Sequence, residues 1–147
     1  MGFFDKRFLT RPQEEEIVET IRKAELCTSG EIRVHLHTSR CTKPVQEAAA
    51  ETFYRLGMDK TALHNGVLIY LATREKEFFI LGDKGIDEKV PENFWDSTRD
   101  AMQKHFKKGD FVQGICSGVE EAGAQLKNHF PYESDDENEL PDEISYD

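Results

Sequence analysis

Cysteine is scarce: three residues, an odd number, with no Cys-x-x-Cys pair. That excludes a disulfide framework and points to reduced thiols in an intracellular, cytoplasmic setting. Long apolar runs are missing too. No stretch approaches ~18 apolar residues, so no membrane span is expected, and the opening "MGFFDKRFLTRPQEEE" holds no apolar core for a secretory signal. Basic charge is short as well. The net charge is −10, and no cluster of Lys or Arg forms a face for nucleic acid.

The acidic excess is uneven. Residues 132–147 carry eight acidic side chains (Glu133, Asp135, Asp136, Glu137, Glu139, Asp142, Glu143 and Asp147) and no basic one, which leaves residues 1–131 at −2. The chain therefore divides into one near-neutral domain, residues 1–131, and an acidic C-terminal tail, residues 132–147. Composition favours a solvated, disordered tail, although Leu140, Pro141, Ile144 and Tyr146 are apolar points that could dock on the body. A monomer is expected.

Periodicity supplies the elements. Thr10, with Pro12 and Glu14 behind it, opens a helix that ends near Cys27–Gly30. Ile32, Val34 and Leu36 alternate with Arg33, His35 and His37, which predicts a strand over 31–38. An alanine-rich helix follows from Pro44 to Leu56 and stops at Gly57. Val67–Ala72 reads as a central strand covered on both faces, and "TREK" turns it into a returning strand, Glu77–Leu81. Helices are predicted over 92–106 and from Asp110, as N-cap, to about Phe130. This order gives a compact α/β layered sandwich with a small mixed sheet.

One short stretch suggests an enzyme. "CTSGEIR", Cys27 to Arg33, has the Cys-x5-Arg spacing of a thiol phosphatase loop. That loop needs a strand before the cysteine and a helix after it, so that amides and the helix dipole converge on phosphate. Here the order is reversed, so Cys27 reads as a partly buried residue at a helix end. No GxxxxGK[ST], GxSxG, HExxH or DxDx[TV] occurs, and the five histidines form no zinc spacing. His35 and His37 share a strand face and could meet a metal, but a plain polar face is the simpler reading.

Topology still locates a site. A crossover helix makes strand 67–72 parallel to strand 31–38, and the hairpin makes 77–81 antiparallel. The starts of the first two strands and the end of the third then share one rim. That rim collects Glu31, Asp59, His64, Asn65, Asp83, Lys84 and Asp87. Carboxylates, an amide oxygen and glycine-rich backbone suit a hard divalent cation; turn capping and pairing of Glu31 with Lys84 is the alternative.

"TSGEIRV", "NGVLIYL", "ILGDKGIDEKV" and "FKKGDFVQGICSGVEEAG", in this order, resemble the TPM-domain family, named partly for a thylakoid acid-phosphatase-like protein. The resemblance covers roughly residues 10–131 and points to a small bacterial member. It implies a three-layer α/β/α sandwich, Rossmann-like in look, with the small mixed sheet flanked by helices, a divalent-metal site with calcium as the usual ion, and an association with acid phosphatase activity. By position it carries over Glu31, Asn65, Asp83 and Asp87 as metal ligands; Asp83 stands where many members have Gly, and Asp87 where many have Glu. Relatives often carry a signal peptide and a membrane anchor, neither of which is visible here.

Two functions follow as expectations. The first is a calcium-binding module whose partner is another protein. The second is a weak metal-assisted acid phosphatase, with Lys60 or Lys84 neutralising phosphate charge, although the sequence names no nucleophile or general base. A structural domain with a vestigial site is the third.

Overall fold

A computed structural model describes residues 9–133 and 138–147. Residues 1–8 and 134–137, parts of the expected domain and tail, lie outside the described residues. The chain runs α1 (Arg11–Glu25), β1 (Glu31–His37), α2 (Val45–Arg55), a 3-10 turn (Met58–Lys60), β2 (Gly66–Ala72), β3 (Glu77–Gly82), α3 (Lys84–Asp87), α4 (Asp96–Phe106), α5 (Phe111–Lys127) and β4 (Ser145–Tyr146).

The sheet order is β3-β2-β1-β4. β1 and β2 are parallel with Glu31 opposite Gly66, and β3 returns antiparallel with Gly82 opposite Val67. The α/β sandwich and mixed sheet are thus those expected. One face of the sheet carries Ile32, Val34, Leu36, Val67, Ile69 and Leu71 and packs on Ile17 and Ile21 of α1, Met102 of α4 and Ile115, Val119 and Leu126 of α5. The other face carries Leu68 and Tyr70 and packs on Ala49 and Phe53 of α2. Every residue of β2 is buried, because helices cover both sides; each such Leu or Ile contributes about 1.5–3 kcal/mol.

Local chemistry sets the element ends. Thr10 and Gln13 form a reciprocal capping box, with Thr10 N–H donating to Gln13 Oε1 at 2.8 Å and Gln13 N–H to Thr10 Oγ1 at 3.3 Å. Gly57 and Gly109 end their helices in the left-handed region, at φ 73° and 79°. Gly30 does not act as a terminator of this kind; α1 ends at the Leu26 cap. The helix expected over 92–106 begins only at Asp96, because residues 92–95 form a turn whose Phe94 and Trp95 rings meet edge to face. Asp110 occupies the N-cap position of α5 but makes no side-chain capping bond. Cys27 is exposed rather than partly buried. Among the described residues, no helix is long and apolar enough to cross a membrane.

The acidic tail departs most from expectation. Its described part, 138–147, buries Leu140 and adds β4 to the edge of β1, in parallel, with His35 opposite Ser145 and Leu36 opposite Tyr146.

Candidate functional site

The register puts the starts of β1 and β2 and the end of β3 on one rim. Glu31 N–H donates to the Asn65 carbonyl at 3.2 Å, and Asp83 N–H to the Gly66 carbonyl at 2.9 Å. Asn65 is buried; its Nδ2 donates to the Ser29 carbonyl at 3.1 Å, while its Oδ1 is buried without a hydrogen-bond partner. Two more oxygens of the adjoining loop share that state, Asp59 Oδ1 and Thr61 Oγ1. A buried polar atom left without a partner costs about 1–3 kcal/mol, so three in one loop call for a physical reason. Thr61 was not singled out in the sequence, where a lone threonine in a turn gives no signal.

The carboxylates have local partners. Asp83 caps α3, its Oδ1 accepting from Lys84 N–H at 2.8 Å, and its Oδ2 lies 3.3 Å from His64 Nδ1. Desolvation, with the charge of Asp83 added, pushes the Asp87 carboxyl above its ordinary value. Glu31 is buried and accepts a bond from Leu140 N–H at 2.6 Å. Burial pushes it up to about 7, helped by the nearby charge of Glu139. Gly85 lets this loop close: a Cβ there would lie 2.4 Å from the Leu63 carbonyl oxygen and 2.5 Å from that of His64.

Sharing a rim is not the same as converging. Side chains alternate across a strand, so Glu31, Gly66 and the adjoining position of Asp83 face α2, while Asn65 takes the opposite face. Glu31 and Asp83 flank Gly66, two strand spacings or roughly 10 Å apart. The room over Gly66 is filled: a Cβ there would meet the Met58 carbonyl at 3.2 Å and Leu140 Cδ1 at 3.6 Å. Among the described residues, no three His, Cys, Asp or Glu side chains form a group that could hold a metal ion. The four residues expected to ligate are therefore brought to one rim but not into one ready-made cage.

Beside this rim, a cavity of about 310 Å³ is lined by Arg22, Glu25, Leu26, Glu31, Tyr132 and Asp142 among others. Glu25 Oε2 accepts from Ile32 N–H at 2.9 Å. Burial, and then a hydrogen bond shared with Asp142, push the Glu25 carboxyl up to about 9.

The far end of β1 answers the question of the two histidines. His35 Nε2 and His37 Nδ1 lie 2.9 and 2.7 Å from Asp147 Oδ1, and Arg55 donates to Oδ2 at 2.6 Å. Both imidazoles stack on the ring of Tyr70, with centroids 5.3 and 6.3 Å away. Burial works against the Asp147 carboxylate, but the bonds from His37, His35 and Arg55 outweigh it and hold the group down to about 2. Burial also depresses His35, partly offset by Asp147. The polar face of β1 is thus a receptor for the tail.

Comparison with known proteins places this geometry. The profile of the TPM domain matches residues 4–125. The NMR structure of BA42 protein from the psychrophilic bacterium Bizionia argentinensis is 49% identical, with TM-score 0.92 over 97% of this chain and 98% of that one. The N-terminal domain of a P. gingivalis protein superposes with TM-score 0.71 at 19% identity, covering 88% of this chain and 84% of that one. The N-terminal domain of the cg2496 protein from Corynebacterium glutamicum does so at 0.64 and 12%, covering 93% and 80%. These last two share the fold. Nothing among curated proteins matches.

Proposed function

This chain belongs to the TPM-domain family, and from that premise we propose that it is a divalent-cation-binding module, with calcium as the ion and another protein as its partner. One observation carries the reading: Asn65 Oδ1 is buried at the strand-end rim with no partner, and Asp59 Oδ1 and Thr61 Oγ1 share its condition. A cation gives such oxygens the electrostatic partner that the protein withholds. The donors are all oxygens, the preference of Ca²⁺, which takes 6–8 of them in irregular loops. Asn65 would hold the ion, and Asp83 and Asp87 would reach it only once the loops before β2 and after β3 draw together, with Glu31 joining when Leu140 N–H releases its carboxylate. Bound calcium would supply positive charge that ties the loop before β2 to the loop after β3.

Weak phosphomonoester hydrolysis is the second reading. It is favoured by Glu31, whose carboxyl at about 7 is poised to donate or accept a proton near neutral pH.

A calcium titration followed by two-dimensional NMR tests the first reading. Saturable amide shifts should gather in residues 58–66 and 82–88. Shifts confined to exposed acidic side chains, or no shift up to millimolar calcium, would contradict it. Turnover of an aryl phosphate that survives Asp83→Asn with Asp87→Asn would dismiss the second.

A further inference from the structure

We propose that the edge of β1, with His35, His37 and Arg55 at its far end, is a binding site for an extended acidic peptide, and that the C-terminal segment of a second copy of this chain fits it. Its acid-reading end lies at the opposite end of the sheet from the cation rim, although the same segment reaches that rim through Leu140, whose N–H donates to Glu31.

The seat reads backbone and side chain together. Asp147 N–H donates to the Leu36 carbonyl at 3.1 Å, and Thr38 N–H donates to the Asp147 carbonyl at 2.9 Å. These bonds add a strand to β1 and fix its register. Two imidazoles then take one carboxylate oxygen and a guanidinium takes the other. Charge-assisted bonds from three groups discriminate an acid from its amide.

The neighbouring positions set a pattern. Ser145 Oγ lies 2.7 Å from His35 Nδ1. Ile144 and Tyr146 pack on the main core, and the Tyr146 hydroxyl donates to Glu14 of α1. The ligand is therefore apolar, small polar, aromatic, acidic. Charge supports the match. Residues 138–147 contain Glu139, Asp142, Glu143 and Asp147 and no base, while Arg33 and the two histidines line the polar face of β1. Such complementarity steers association.

The occupant seen here is gripped mostly through hydrogen bonds and partly exposed side chains rather than through deep burial. β4 is two residues long, and of residues 138–147 only Leu140 is buried. Short edge elements of this kind open at low free energy. A cavity of about 200 Å³ adjoins the Asp147 carboxylate, walled by Cys41, Lys43, Arg55 and Tyr70, so the seat is approachable from outside. Each copy carries one seat and one matching segment, so reciprocal exchange closes as a twofold dimer.

The test uses the full chain with Tyr146→Ala and Asp147→Ala, which weakens the internal segment, and a synthetic peptide of residues 138–147. Amide shifts at Leu36 and Thr38 and imidazole shifts at His35 and His37 should saturate within ~1 mM peptide, the local concentration that a short flexible tether provides. A peptide with D147N, or a chain also carrying Arg55→Ala, should bind about tenfold more weakly. A dispersed spectrum with no shift, or equal binding by the D147N peptide, overturns the site. If the double variant does not fold, Asp147→Asn alone takes its place with the same readings. For the unaltered chain, sedimentation should show a dimer growing with concentration. Peptide binding by a chain that stays monomeric throughout overturns the second copy as occupant and points to a foreign acidic peptide.

Discussion

His35 Nε2 lies 2.9 Å from Asp147 Oδ1, across 112 residues of sequence. The two are joined because β4 runs parallel to β1 with Ser145 opposite His35. This brings the last acidic side chain of the tail onto two imidazoles and an arginine, and it converts a tail expected to be solvated into part of the sheet.

Removing that carboxylate should loosen the tail. Asp147→Ala is expected to cost about 1–2 kcal/mol, a value reduced for solvent screening, since the side chain is 38% exposed. Thermal unfolding should fall by a few degrees, and hydrogen exchange at Leu36 and Thr38 should speed up.

The same contact sets an acid limit. The Asp147 carboxyl sits at about 2, below its ordinary 3.8. Its stabilisation is complete above the ordinary value and is lost as pH falls through 3.8 toward 2. His35 is depressed by burial, so the unfolded chain takes up its proton first and stability also declines below its ordinary 6.5. Urea unfolding should show the His35 loss between pH 7 and 5, and a further loss between pH 4 and 2 that is absent in Asp147→Asn.

Glu25 acts with the opposite sign. It rises from 4.5 to about 9 in the fold, so its protonated form is favoured there. The stabilisation is complete below 4.5 and is lost as pH rises through that value toward 9. Glu25→Gln keeps an acceptor for Ile32 N–H and gives Asp142 a permanent donor. It should leave stability near pH 4 unchanged and raise it at pH 9 by about 1–3 kcal/mol, read by denaturant unfolding at both values.

Gly85 is a packing constraint at the rim. Gly85→Ala would force its Cβ against two carbonyl oxygens and should destabilise by about 1–3 kcal/mol. Calorimetry would show the loss, and amide shifts should spread through residues 61–66.

Much of this was legible in the sequence. Alternation at Ile32, Val34 and Leu36, the apolar run of β2 and the polar "TREK" turn were enough to give strand directions, and hence the common rim of Glu31, Asn65 and Asp83. The facing of those side chains was not legible, because it depends on Glu31 pairing with Gly66 rather than with Asn65, a one-residue matter of register. The orphan oxygens of Asp59 and Thr61 follow from burial, which no local pattern announces. β4 was missed because two residues in an acidic stretch carry almost no periodicity. Its signal was the apolar pair Ile144 and Tyr146 opposite a strand whose polar face is Arg33, His35 and His37. α3 was missed because a single turn rests on one cap, Asp83.

Calcium-dependent thermal unfolding of the natural chain beside Asp83→Asn with Asp87→Asn tests the cation site most directly, since asparagine still caps α3. A ligand that binds only the folded state stabilises it by mass action. The natural chain should therefore unfold several degrees higher in millimolar calcium, and the double variant should not. An equal shift in both, or none in either, would contradict calcium binding at this rim.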